Sequence, residues 1–321
     1  MAQQRYDAAV MHDFFVDRLV HVQSLDELLG LAKAKSREGG GSIHDVEQEE
    51  VIGGNAVNMA HALGELGAKV LLITHSDAEH EGLLRKAFKR PSVKVRIKPQ
   101  PPGLTVALEE SVNVMVSDSG GAARFPPRLL TEDDWESLKR SRIVCSVNWA
   151  ANAHGTELLI TLRRNLGEKA VLYLATSDVR DRRQKYADLI ARMRRRRLVD
   201  WLSVNEDEAR STIKALGIVA PDSRKMCRAI SDELGIRVDV HAERASYTAL
   251  DGDSVELRTD HVKPKRRTGA GDVWDAGSVY AFLKGMRDEQ RLAFANAAAK
   301  LYLLSENVAP PSLWQVARLV S

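Results

Sequence analysis

Thr268–Asp272 (TGAGD) packs two glycines, an alanine and an acid directly before a run that reads as a helix. Successive N–H groups of a glycine-rich turn converge on one point. A helix N-terminus adds unpaired N–H groups and a partial positive charge. Such a turn binds and stabilises a transferring phosphoryl group, and side chains would block its close approach. An aspartate there meets a second need: a hydroxyl attacking phosphorus must lose its proton, and a carboxylate within hydrogen-bond reach can take it. The helix dipole is expected to lower the pKa of Asp272 and make it a weak base, which a late proton departure tolerates. The competing reading is a glycine turn with Asp272 as an ordinary capping residue.

Two further stretches shift that balance. GGNAVN (Gly53–Asn58) is a second glycine turn opening a helix. Its two amides, Asn55 and Asn58, suit neutral hydroxyls, whereas a plain N-cap needs only one of them. SVNEDEA (Ser203–Ala209) ends a strand and opens a helix. Asn205 and Glu208 are three apart and share a helical face. At the C-terminal edge of a parallel sheet such a pair can hold hydrated Mg²⁺ beside nucleotide phosphates. Capping with dipole matching is the other reading of NEDE.

The elements that must position these residues alternate along the chain. Tyr6–Val22 reads as one long strand or two consecutive ones. Ser24 caps a helix through Lys35, with Asp26 and Glu27 in its first turn. Ser36–Ser42 is a loop, and a short strand around Val46–Ile52 leads into the GGNAVN helix, which Gly67 ends. Val70–Thr74, Ile143–Val147, Val171–Ala175 and Trp201–Val204 read as buried strands. Helices start near Thr131 and run over Gly155–Leu166, Arg182–Arg196 and from NEDE onward. Repeated βα units with near-continuous apolar strands predict a doubly wound α/β domain, a mostly parallel sheet with helices on both faces. The alternating strands within about 12–23, 42–52 and 93–117 read as a separate small β-sheet, a lid over a single domain spanning 1–321.

Composition excludes several classes. The 321 residues carry a net charge of +3, with 28% charged and 5% aromatic residues. That surface does not suit a nucleic-acid binder. ARMRRRR (Ala191–Arg197) lacks interleaved aromatics and reads as the solvated last turn of a helix. No apolar stretch suits a membrane span, and MAQQRYDAAVMHDFF does not read as a signal peptide. Cys145 and Cys227 form neither a disulfide framework nor a metal cluster. The expectation is a soluble cytoplasmic protein. A nicotinamide oxidoreductase needs GxGxxG after the first strand, and MHDFFVD has no such turn.

GGNxxN early, NxxE in the middle and TGAGD late make the chain resemble the ribokinase-like (phosphofructokinase-B type) carbohydrate kinases, from about Tyr6 to Ser312. The pairing of GGNAVN with TGAGDVWDAG is the specific part. The resemblance implies a doubly wound α/β fold with a lid, and transfer of a phosphoryl group from ATP, or in some members ADP, to a sugar or nucleoside hydroxyl. It implies Asp272 as catalytic base and Gly269, Ala270 and Gly271 as the anion hole. Asn205 and Glu208 would position Mg²⁺ through water. Asp17, Gly53, Gly54, Asn55 and Asn58 would meet the acceptor, with Asn148 of SVNWAAN. Thr268, His241 and Asn296 would line the nucleotide site.

Departures from the family pattern narrow the reading. Arg266 and Arg267 replace the acid and small polar residue that often precede TGAGD, which puts monovalent-cation activation in doubt. Trp274 replaces a common phenylalanine. VDVHAERASYT (Val238–Thr248) stands where the usual TxGxxG nucleotide loop would be. MHDFFVDRLV, GGGSIHDVEQEEVIGGNAVN and SVNWAANAHGTELL are similar to an archaeal branch, the ADP-dependent ribose-1-phosphate kinases of nucleoside degradation. An anionic acceptor needs a cation, for which Arg124, His44 and Arg180 are candidates. The alternatives are an ATP-dependent sugar, nucleoside or inositol kinase, and a binding or regulatory protein on the same scaffold. Exposed lid-strand edges suggest a homodimer.

Overall fold

The computed structural model describes residues 5–88, 91–109, 113–167, 169–265, 268–306 and 309–320. Arg266 and Arg267, and residues 110–112 of the expected lid, lie outside the described residues.

Tyr6–Val22 forms two strands in two different sheets, β1 (Ala8–Met11) and β2 (Phe15–His21). β3 is Gln48–Gly53, β4 Val70–Ser76, β5 Val93–Pro99, β6 Gly103–Glu109 and β7 Asn113–Asp118. β8 (Ile143–Ser146), β9 (Val171–Ala175), β10 (Trp201–Asn205), β11 (Arg237–His241), β12 (Ala245–Leu250) and β13 (Asp253–Arg258) follow. The main sheet is nine-stranded, in the order β13-β12-β11-β10-β9-β8-β1-β4-β5. It is parallel from β11 to β5, and β12 and β13 add an antiparallel edge. β1, β4 and β8 are buried along their whole length, as strands covered on both faces must be.

Helices Gly155–Leu166, Arg183–Arg195, Glu206–Leu216 and Ser223–Leu234 cover one face, with Leu162, Ile190, Ile213 and Ile230 in its core. Helices Asn55–Glu65, Ala270–Leu283 and Asp288–Leu304 cover the other, with Leu63, Val279 and Phe294. The basic run falls largely on the exposed end of Arg183–Arg195, where Arg194 pairs with Glu233 and, just beyond, Arg197 pairs with Asp200. Both cysteines are buried and free.

The lid is a four-stranded sheet, β3-β2-β6-β7. It corrects one expectation: Val93–Pro99 is not a lid strand but the edge of the main sheet, parallel to β4 from Val70↔Val93 to Ser76↔Pro99. An edge strand with one solvated face alternates like a lid strand, so VKVRIK carries the same pattern in either sheet. Among the described residues, no helix is long and apolar enough to cross a membrane.

Chain order reverses between β1 and β8. β1 is followed outward by β4 and β5 on one side and by β8 and β9 on the other. A crevice opens outside the C-terminal ends of strands at such a switch point, and ligands bind there in open α/β sheets.

Candidate active site

The switch point is closed by a carboxylate absent from the sequence-level candidates. Asp13 follows β1 and is fully buried. Its Oδ2 accepts from Asn55 N and from Asn148 Nδ2, both at 2.8 Å, and its Oδ1 accepts from Ala56 N at 2.9 Å. It therefore caps the helix Asn55–Glu65 from a distant part of the chain and ties it to the end of β8. Gly54 makes this possible: its φ is 100°, and a Cβ there would lie 2.9 Å from Asp13 O. Glycine is the residue for that conformation. Asn148 is thus a partner of Asp13, and its Oδ1 accepts from Ala151 N at 3.3 Å.

Asn55 and Asn58 point their amides at Asp272. Asn55 Nδ2 donates to Asp272 Oδ1 at 2.7 Å, and Asn58 Nδ2 donates to Oδ2 at 2.8 Å. Two helix N-termini, one entered from the lid and one from TGAGD, therefore meet on a single carboxylate. Asp17 stands on lid strand β2 opposite Val51 of β3, and a Cβ at Gly53, which pairs with Phe15, would overlap the Asp17 carboxylate.

The expected direction for Asp272 is overturned. Its pKa is raised to about 7, first by burial and then by the charges of Asp13 and Asp17, while the bonds from Asn58 and Asn55 pull it down. The dipole argument considered only the helix end. Desolvation of a carboxylate that is 9% exposed outweighs it. A carboxyl at that pKa is matched to proton transfer near neutral pH.

Gly269 is the N-cap of the helix Ala270–Leu283, with φ 87°, and a Cβ there would meet Tyr302 Oη at 2.7 Å. Tyr302 Oη also donates to the Thr268 carbonyl at 3.1 Å, which fixes the turn. Ala270 and Gly271 border a cleft of about 730 Å³ that also meets Asn205, His241, Trp274 and Asn296. His241 packs against Trp274, ring centroids 5.0 Å apart, and burial lowers its pKa to about 4, so it is neutral. Trp274 Nε1 donates to Asn296 Oδ1 at 2.8 Å. In place of a glycine loop the cleft has the end of β11 and the turn after it, His241, Ala242 and Glu243, with Leu257 and Arg258 of β13.

Asn205 and Glu208 form a reciprocal capping box: Glu208 N donates to Asn205 Oδ1 at 2.9 Å, and Asn205 N to Glu208 Oε2 at 3.2 Å. Asn205 Nδ2 bonds Glu208 Oε1 at 2.8 Å, and Thr176 Oγ1 donates to Oε2 at 3.3 Å. Burial raises Glu208 to about 7. The amide and acid are engaged with each other, so the donor set suits a hydrated cation held through water, not direct coordination. Among the described residues no group of three or more His, Cys, Asp or Glu is placed to hold a metal ion.

A buried carboxylate thus stands between the lid and a cleft bordered by a glycine turn at a helix N-terminus. The chain belongs to the pfkB family of carbohydrate kinases, whose pattern matches residues 22–315; it is a phosphotransferase acting on a hydroxyl. Solved structures share the fold. A ribokinase from Thermotoga maritima is 18% identical with TM-score 0.79, covering 98% of this chain and 99% of that one. A ribokinase from Arabidopsis thaliana, complexed with ribose and ATP, is 19% identical with TM-score 0.75, covering 99% of each. An adenosine kinase from Sinorhizobium meliloti is 18% identical with TM-score 0.79, covering 99% and 100%. A comparison with curated protein sequences finds no match.

Proposed function

We propose that this kinase moves the terminal phosphoryl group of ADP to a hydroxyl of ribose 1-phosphate, giving ribose 1,5-bisphosphate and AMP. The observation that carries the kinase reading is Asp272, buried, raised to about 7, and held by Asn55 and Asn58 beside the anion-hole turn. The narrower donor and acceptor rest on the MHDFFVDRLV and SVNWAAN phrases and on the end of β11 and the turn after it, His241–Glu243, which stand in place of a glycine loop. Of the three candidate cations for the acceptor phosphate, Arg180 is held by Asp178, with Nη2 to Oδ2 at 2.5 Å, and His44 is exposed in a loop. Arg124 ends the turn whose Ala122 carbonyl lies 3.2 Å from His12 Nε2, next to Asp13. It is the favoured phosphate partner.

The acceptor lies under the lid against Asp17 and Asn58, and closure excludes water that would otherwise take the phosphoryl group. Asp272 aligns the attacking hydroxyl and accepts its proton at the carboxylate. The N–H groups of Gly269, Ala270 and Gly271 stabilise negative charge on the group in transit. Asn205 and Glu208 would hold Mg²⁺ through water, and the ion would supply charge neutralisation there. His241, Thr268 and Asn296 belong to the nucleotide side. The same reading includes a cytoplasmic setting, in keeping with two free buried thiols, and a homodimer through the lid, where Leu104, Val106, Met115 and Val116 are exposed.

The test is phosphoryl transfer with ADP or ATP and Mg²⁺ against ribose 1-phosphate, ribose, cytidine, adenosine and inositol. Turnover of ribose 1-phosphate with ADP is the expected result. Turnover of another acceptor with ATP would discard the narrow reading and keep the kinase.

A further inference from the structure

The opposite end of the main sheet carries a recess of about 650 Å³ walled by Arg5, Lys139, Arg140, Arg142 and Lys169, with Val171, Phe282 and Leu283 as its apolar side. No acidic side chain lines it among the described residues. Arg5 precedes β1, Arg142 precedes β8 and Lys169 precedes β9, three adjacent parallel strands. Their starts form the floor, while Asp13, Asn148 and Thr176 follow their far ends.

Ordinary helix chemistry explains only part of this cluster. Lys139 and Arg140 end the helix Glu132–Lys139, where cations suit the dipole. Arg5, Arg142 and Lys169 sit at strand starts, where no such preference acts. The counter-charges are few and shared. Glu136 serves Lys139 at 2.9 Å and Arg140 at 3.8 Å. Asp7 lies 3.9 Å from Arg142 and already accepts from Lys69 N at 2.9 Å. Arg5 and Lys169 have no carboxylate within ion-pair distance among the described residues. The carbonyls of Tyr280, Ala281 and Phe282, at the helix end beside the recess, are taken by the N–H groups of Lys284, Gly285 and Met286. Five cations facing one hollow repel one another, and a bound anion relieves that repulsion.

We propose that this recess binds a phosphomonoester of nucleotide size, its phosphate met by Arg5, Arg142 and Lys169 and its organic part laid against Phe282, Leu283 and Val171. Guanidinium and ammonium groups make the strongest hydrogen bonds to phosphate oxygens. The volume falls within the roughly 300–1,000 Å³ of small-molecule sites. This site is separate from the catalytic cleft and does not depend on which acceptor the kinase uses.

The test is titration calorimetry with AMP as probe on the full chain, wild type and the double variant Arg5→Ser, Lys169→Ser side by side, with no other nucleotide present to enter the recess. Wild type should show a site of unit stoichiometry beyond the catalytic cleft, and that site should weaken about tenfold or more in the double variant. Both side chains are exposed and lie outside the catalytic machinery, so basal turnover and melting temperature should hold. Higher salt should weaken the binding steeply. A single AMP site in the wild type, or a second site that the double variant leaves at full affinity, would overturn the proposal. Inorganic phosphate binding as tightly as AMP would remove the apolar wall from it.

Discussion

Replacing Asn58 by alanine should move the acid limb of the kinase's pH–rate profile upward. Only the ionised form of Asp272 accepts a proton, and its pKa stands at about 7. In the wild type kcat/KM should therefore fall about tenfold per pH unit below that value, to about one hundredth of its plateau two units lower. Asn58 Nδ2 donates to Asp272 Oδ2 at 2.8 Å and favours the ionised form. A hydrogen bond to a charged group contributes about 1.5–3 kcal/mol, and one pKa unit is about 1.4 kcal/mol. Losing that donor should raise the pKa by about one to two units. The assay is kcat/KM for phosphoryl transfer from roughly pH 5 to 10, because that ratio reports groups of the free enzyme. An acid limb at the same pH in variant and wild type, or a wild-type profile flat through neutrality, would refute the assignment of the limb to Asp272.

Other expectations follow from the same geometry. Asp272→Asn should melt at a higher temperature than wild type at alkaline pH. The folded pKa lies above the unfolded one, so the folded state binds the extra proton, and the buried charge costs stability as pH rises from about 4 to 7; the gain is at most about 4 kcal/mol and should vanish near pH 4. Asp13→Ala strands three donors, Asn55 N, Ala56 N and Asn148 Nδ2. It should destabilise the fold by about 3 kcal/mol or more in chemical denaturation. Gly53→Ala displaces the Asp17 carboxylate and should raise the acceptor KM while leaving the nucleotide affinity, measured separately by calorimetry, unchanged.

Much of the parallel core was legible because strands covered on both faces are apolar along their length, as in AAVM, VLLIT and IVCS. The edge strand VKVRIK was misplaced because its half-solvated pattern is shared by lid and edge. TGAGD and GGNAVN pointed to the right turns, but not to their meeting: no local pattern shows that Asn55 and Asn58 close on a carboxylate more than 200 positions away. Asp13 went unseen for the same reason. MHDFFVD offers two acids, and only the approach of the helix Asn55–Glu65 to the end of β1 distinguishes the buried cap from the lid residue. The sign of the Asp272 shift depends on burial, which a dipole argument from one helix end does not contain. NEDE carried both of its meanings in the sequence, and the fold shows the capping box directly, with Asn205 and Glu208 bonded to each other.

The most direct measurement is the single-turnover rate of phosphoryl transfer by Asp272→Asn at alkaline pH, where the wild-type base is ionised, with nucleotide binding measured alongside. Asparagine keeps the shape and removes the proton acceptor. The rate should fall by about two to four orders of magnitude, as for loss of a general base, with nucleotide still bound. A rate within a few fold of wild type would contradict the claim that Asp272 is the base.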